Sequence, residues 1–325
     1  MPLPPSLPVD ATASFDADAH FQPSPGLAAA LRRHGAGCPC RLHRRRLFTS
    51  ALLAGGAAAA LPALAQDGVV VSGESALGKL VPAEELEKAA AQQYQGMLRE
   101  AQQQRALAPP DHPQLIRLRA IAERLIPYSG SPNLRSTPRA AQWKWEVNLI
   151  GSKELNAFCM PGGKIAFYFG ILQQLQLSDD EVAVVMGHEI AHALREHARA
   201  RMGKTTATRG AIEIGSALLG LGNVSRYLAN MGGELLTLRF SRDDESEADK
   251  IGLDLASRGG YNPRAGVSLW EKMGQVSKGA PPQFMSTHPS GPTRIKDIQA
   301  ILPAVEPLYA RADKPAKTFG PPKAS

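Results

Sequence analysis

The chain holds 325 residues, 43% apolar and 21% charged, a globular composition that excludes a disordered or collagen-like protein. Lys and Arg number 37 against 30 Asp and Glu, a net charge of +7, and residues 1–65 carry six of those Arg beside only three Asp. The remaining excess is too mild and scattered for a nucleic-acid stripe, and three cysteines exclude a disulfide scaffold or a Cys-rich zinc module.

Residues 1–43 are rich in Pro and Ala and read as a disordered extension; Cys38 and Cys40 have no partner pair there. Residues 44–65 read as a signal peptide. Arg44, Arg45 and Arg46 precede an uncharged Ala/Leu/Gly run that ends Leu61-Pro62-Ala63-Leu64-Ala65, with small residues at the cleavage positions. Arg45-Arg46-Leu47-Phe48 also fits a twin-arginine signal. The expectation is an exported, periplasmic protein; the alternative is an uncleaved N-terminal anchor, for which the run is only marginally long. No other stretch promises a stable membrane span.

Residues 66–110 read as a Gly/Val/Ser-rich linker and a polar helix over 83–107, ended by Pro109-Pro110. Asp111 is expected to cap the next helix, with Pro113 in its first turn and Leu115, Leu118, Ile121, Ala122 and Leu125 along one face. Trp143 to Ile150 alternates as a strand does. Asn156 to Met160 reads as a second strand, Pro161-Gly162-Gly163 as a tight turn, and Ile165 to Phe169 as further strand or helix. Ser178 and Glu181 form a capping box, which starts a helix expected to reach about Arg201.

Residues 203–240 hold seven Gly among short apolar pieces, a composition that suits a mobile lid. Ser241 opens a helix stopped by Gly259-Gly260. Asn262-Pro263 caps another, and a last one begins near Pro292. Residues 303–325, Lys/Pro/Ala-rich at their end, read as a disordered tail.

Within the helix at 178–201, His188-Glu189-Ile190-Ala191-His192 puts two imidazoles four residues apart on one face, where both can offer a nitrogen to one metal ion. Glu189 lies about 100° around the helix from His188, beside the metal and free to act as general base for a metal-bound water. A catalytic zinc needs a third protein ligand and an open position. The extended motif with Gly at 195 and His at 198 is excluded, because those residues are Arg195 and Ala198. His197 is out of register on an unbroken helix and reads as an ordinary polar residue.

The third ligand is expected on a separate helix. Glu245 and Asp249 stand at i,i+4; Glu245 can ligate, and Asp249 can accept the free N–H of a ligating histidine. The plainer alternative, an acidic first turn complementing the helix dipole, explains Asp243 and Asp244 but not this later pair.

His188–His192 followed by the Ser-Arg-x-x-Glu-x-x-Ala-Asp string at 241–249 resembles the HtpX, Oma and CAAX-prenyl-protease family of zinc metallopeptidases, gluzincins, and most of all its soluble exported branch typified by BepA and LoiP. Asn156 to Ile165 and Thr287-His288-Pro289-Ser290, with Arg294-Ile295 after it, are similar to further motifs of that family. The resemblance covers roughly residues 111–302. It implies a mainly helical α+β, zincin-like metallopeptidase domain with a small sheet beside the active-site helix.

The function implied is a zinc-dependent endopeptidase that hydrolyses extended or misfolded envelope proteins. One Zn2+ per chain would be held by His188, His192 and Glu245, and Glu189 would be the base. His288 is expected either as a transition-state stabiliser or gating ligand, or as a turn residue before Pro289. Asn156, Ala157, Phe158, Cys159 and Met160 would form an exposed edge that pairs with substrate backbone. Two rivals stand beside this reading: a chaperone-like or scaffolding envelope protein with a structural zinc, and a metallohydrolase acting on another bond class.

Overall fold

A computed structural model describes residues 67–73, 75–205, 207, 235, 238–276, 283–289 and 293–323. The extension at 1–43, the leader at 44–65, most of the lid at 203–240 and Ser290 of the His-Pro-Ser motif lie outside these residues. Among the described residues the molecule is mainly helical with one three-stranded sheet. No helix among them is long and apolar enough to cross a membrane.

Helix α1 (Ala83–Gln103) is polar outside but buries Leu86, Ala90, Tyr94 and Ala101. It lies on the sheet, where the Tyr94 hydroxyl donates to the Ile165 carbonyl at 2.6 Å. Helix α2 (Pro113–Leu125) follows. His112, not Asp111, caps it: the His112 Nδ1 accepts from the Gln114 N–H. Strand β1 (Glu146–Ile150) is shorter than its alternating pattern, because Pro138–Gln142 is a 3-10 turn and Trp143 to Lys144 serve as its exit. Strands β2 (Ala157–Met160) and β3 (Lys164–Tyr168) complete a sheet of order β1-β3-β2. β1 runs parallel to β3 and β2 antiparallel to it. Gly162 and Gly163 have φ of +86° and +75°, so the tight turn between β2 and β3 rests on the two residues that enter that region without a Cβ penalty.

A short helix α3 (Phe169–Gln174) leads to α4 (Asp179–Leu194). Its capping box is formed as expected: the Ser178 hydroxyl accepts from the Glu181 N–H, and the Glu181 carboxylate accepts from the Ser178 N–H. Every residue of α4 but Asp180 is buried. The helix does not run on to Arg201. It breaks at Arg195-Glu196, where Glu196 takes a φ of +52°, and residues 197–205 form a separate helical stretch.

Helix α5 (Arg242–Arg258) is capped by Ser241 and Asp244 in a second box. It crosses α4 at close range through Gly187 and Gly252. Helices α6 (Ala265–Val276), α7 (Gln283–Thr287) and α8 (Arg294–Arg311) complete the body. One core of aliphatic and aromatic side chains runs through α2, the sheet, α4, α5, α6 and α8.

Two expectations at the ends are corrected. Residues 67–72 are not a linker: Val69 and Val71 are buried in the core, and the Val69 N–H donates to buried Asp254 on α5. Residues 303–325 are not a disordered tail as far as they are described. α8 carries Pro303 and Pro307 within it and continues to Arg311, and the N–H groups of Phe319 and Gly320 donate to Asp179. Asp179 also pairs with fully buried Arg117 at 2.6 Å, so the tail is tied to the start of α4.

Candidate metal centre

Four side chains from three separate segments offer ligand atoms within 4.8 Å of one another: His188 and His192 on α4, Glu245 on α5 and His288 just after α7. All four are buried. The His188 and His192 Nε2 atoms stand 3.1 Å apart. Glu245 reaches them at 3.5 Å and 3.4 Å through its two oxygens. The Nδ1 of His288 lies 3.3 Å from the His188 Nε2 and 3.1 Å from Glu245. A tetrahedral zinc with ligand bonds of about 2.0–2.1 Å has ligand–ligand edges of about 3.4 Å. The cluster therefore has the dimensions of such a site.

Proton placement points the same way. His188 Nδ1 lies 3.0 Å from Asp249 Oδ1, and an ionised carboxylate can only accept, so the Nδ1–H donates and, in the neutral ring, the Nε2 carries the lone pair. His197 Nε2 lies 3.0 Å from Glu247, which puts its proton there and leaves its Nδ1 to accept from His192 Nδ1 at 2.9 Å. The His192 Nε2 then also bears a lone pair. Two imidazole lone pairs and a carboxylate converge on one point, an arrangement that calls for a cation. Burial lowers His188, but the carboxylates of Asp249 and Glu245 outweigh it and push its pKa up to about 9, so a proton on its Nε2 takes the place that a cation would fill. Burial would raise Glu245, but the histidines beside it hold it far below the carboxylate range. Burial depresses His192 well below its ordinary value. These residues fit a divalent metal that takes N and O ligands.

Glu189, next to His188 on α4, is 2% exposed. Its Oε1 has no hydrogen-bond partner and lies 3.5 Å from the His288 Nε2. Burial raises its pKa, opposed by the charges of His288 and His188 and by the Cys159 N–H. A basic carboxylate kept short of partners is suited to taking a proton from water.

β2 is the edge of its sheet, as expected of Asn156 to Met160, but it is not exposed. All five residues are buried. They line a cleft with Glu189, His192, Leu235, Leu238, Phe240 and His288. Phe240 stacks on the His192 ring with centroids 3.9 Å apart.

Sequence reasoning missed three neighbours of the site. Arg294, at the start of α8, donates to both oxygens of Asp249 and to Glu245, each at 2.8 Å, while its guanidinium sits 3.6 Å over the Trp270 ring. His197 is not an ordinary polar residue but is 4% exposed and bonded to His192. Glu247 receives His197, Arg195 and Ser72. The pairing of Arg294 with α5 is a long-range contact with no local signal, and the turn at Glu196 that redirects His197 breaks an otherwise continuous helical pattern.

Comparison with known proteins adds the family. The model of peptidase family M48 matches residues 115–302, more than half of the chain. The mitochondrial metalloendopeptidase OMA1 of Schizosaccharomyces pombe is 36% identical over 205 residues, covering 62% of this chain and 56% of that protein. OMA1 of Arabidopsis thaliana is 38% identical over 152 residues, 47% of this chain and 30% of its own length. The metalloprotease LoiP of Escherichia coli is 30% identical over 156 residues, 47% of this chain and 61% of LoiP. The chain thus spans between about a third and two thirds of these relatives. They also correct the periplasmic placement. Relatives from fungi, a plant and vertebrates are mitochondrial by name and point to mitochondria rather than to periplasmic export. A basic, acid-poor N-terminus such as residues 1–65 is common to both kinds of targeting segment, which is why composition alone misplaced it.

Proposed function

The chain belongs to peptidase family M48, a family of metalloproteases, and on that footing we propose a zinc-dependent endopeptidase that cuts extended or misfolded polypeptides, with one zinc per chain held by His188, His192 and Glu245. The observation that carries this reading is the convergence of two imidazole lone pairs and a carboxylate on one point, beside a buried Glu189 with an unpartnered oxygen. The peptidase domain is taken as residues 111–302, in the mitochondrial setting that the relatives' names suggest.

Bound zinc would lower the pKa of its water and polarise the scissile carbonyl. Glu189 would accept the proton of the attacking water and pass it to the leaving amine; the raised pKa of its carboxyl suits both transfers. Asp249 holds the proton of His188 on Nδ1, which keeps Nε2 free to ligate. β2 is an edge strand and lines the cleft beside Glu189, which would suit an extended substrate that adds as a further strand and is read through its backbone. That mode favours chains without tertiary structure. His288, whose Nδ1 lies 3.3 Å from the His188 Nε2 and 3.1 Å from Glu245, would be within reach of the same metal and could serve as a gating ligand.

A second reading has one observation in its favour. With His288 included, all four positions are protein, as in a structural zinc of a scaffolding or chaperone-like protein. Against it stands Glu189, since a buried carboxylate oxygen without a partner costs stability and serves nothing structural. Digestion of an unfolded protein separates the two. The peptidase cuts it in a zinc-dependent way and Glu189→Gln does not, with zinc content unchanged; equal inactivity of both proteins supports the structural zinc.

A further inference from the structure

We propose that His197 and Glu247 are positioning residues for His192, forming a proton-holding relay that keeps the lone pair of His192 turned towards the metal. The inference rests on reading His188, His192 and Glu245 as the metal site. Its basis is a line of three side chains, the two histidines buried and the carboxylate partly so: Glu247 Oε2 to His197 Nε2 at 3.0 Å, and His197 Nδ1 to His192 Nδ1 at 2.9 Å. His197 is 4% and His192 3% exposed, so water does not compete for the bond between the two rings.

Only one neutral arrangement satisfies every atom. Glu247 must accept, so His197 donates from Nε2 and presents a lone pair at Nδ1. His192 must then donate from Nδ1, and its Nε2 is left bare. The reverse assignment sets a lone pair of His197 against a carboxylate and puts a proton on the His192 Nε2, where it blocks ligation. Asp249 does the same for His188 directly. For His192 an extra imidazole bridges the longer gap to a carboxylate on α5.

The backbone is bent to make this contact. On an unbroken helix residue 197 would sit about 140° around from His192. The left-handed turn at Glu196, φ +52°, brings it back under the His192 ring. Glu247 is fixed in turn by the Arg195 Nε at 2.9 Å and by the N–H and hydroxyl of Ser72 at 3.2 Å and 2.8 Å. The relay therefore ends on the N-terminal segment that packs along α5.

The test is zinc affinity of the full chain by competition with a chromophoric chelator. His197→Leu is expected to weaken zinc binding about 10–100-fold, the usual cost of losing a histidine orienter, with unchanged circular dichroism. His197→Asn, whose carbonyl can stand in for the accepting Nδ1, is expected to bind within a few-fold of wild type. Wild-type affinity in the Leu variant, or equal weakness in both variants, overturns the relay. Nitrogen NMR of the zinc-free wild-type chain gives a readout that no variant's folding can spoil. Its expected result is the His192 proton on Nδ1, and a proton on Nε2 overturns the proposal. In the same competition assay His192→Ala must lose affinity; if it does not, the metal-site reading itself fails and the relay with it.

Discussion

Gly187 on α4 and Gly252 on α5 meet backbone to backbone. A Cβ on Gly187 would stand 2.6 Å from the Gly252 carbonyl oxygen, and one on Gly252 would stand 2.7 Å from the His188 nitrogen. The crossing lies directly beneath His188, and Glu245 is two turns before Gly252 on the partner helix. Helix spacing at this point thus sets the distance between the third ligand and the first two. A methyl group in either place forces the helices apart at a cost of about 1–3 kcal/mol. Gly252→Ala should lower the midpoint of denaturant unfolding and weaken zinc binding together. Stability lost with zinc affinity intact would show that the ligands adjust independently of the crossing.

Removing a ligand should remove the metal. His188→Ala, His192→Ala and Glu245→Ala are each expected to leave the chain without stoichiometric zinc by elemental analysis, because a catalytic zinc already operates on its minimum of three protein ligands. Full zinc in all three variants would contradict the assignment. Stripping the wild type with a chelator should lower its melting temperature, since a ligand that binds only the folded state stabilises it by mass action.

Much of this site was legible because its parts announce themselves locally. The i,i+4 histidines, the i,i+4 pair Glu245 and Asp249, the capping box at Ser178 and the helix start at Ser241 are short-range patterns, and the structure forms the box, starts the helix there and brings the four residues together. What escaped is non-local or breaks a local rule. Glu196 adopts a left-handed φ without being Gly, so nothing in the sequence ends α4 there. Arg294 finds its carboxylates 45 and 49 residues away. The tail at 312–323 is polar by composition yet docks through two N–H groups on one carboxylate. Such contacts depend on where elements pack, which periodicity does not encode.

Asp249→Ala should keep the fold and weaken zinc binding about 10–100-fold, because His188 loses the group that fixes its tautomer. Arg294→Ala should be harsher. It leaves the buried carboxylates of Asp249 and Glu245 without their shared cation, a loss on the order of 3–5 kcal/mol for a broken buried pair. The contrast is measurable by chemical denaturation in excess zinc. Comparable stability of the two variants would mean that the guanidinium adds little to the stability of the buried carboxylates.

His288 offers the sharpest contrast with the other ligands. Its Nδ1 lies 3.3 Å from His188 Nε2 and 3.1 Å from Glu245, within reach of a metal that the other three would hold. A zinc bound by all four side chains would have no place for water, so turnover would require this histidine to leave. It is carried by α7, only five residues long, and stacks on Phe284 at 4.7 Å between ring centroids. Helices α4 and α5 supply the other three ligands from the core. His288→Ala should therefore retain stoichiometric zinc, bind it somewhat less tightly, and cleave an unfolded substrate faster than wild type. That pattern differs from the loss of both metal and activity expected at His188, His192 and Glu245. If the variant keeps its zinc but falls more than about tenfold in kcat, a size typical of a lost transition-state contact, His288 touches the reacting atoms instead of guarding them.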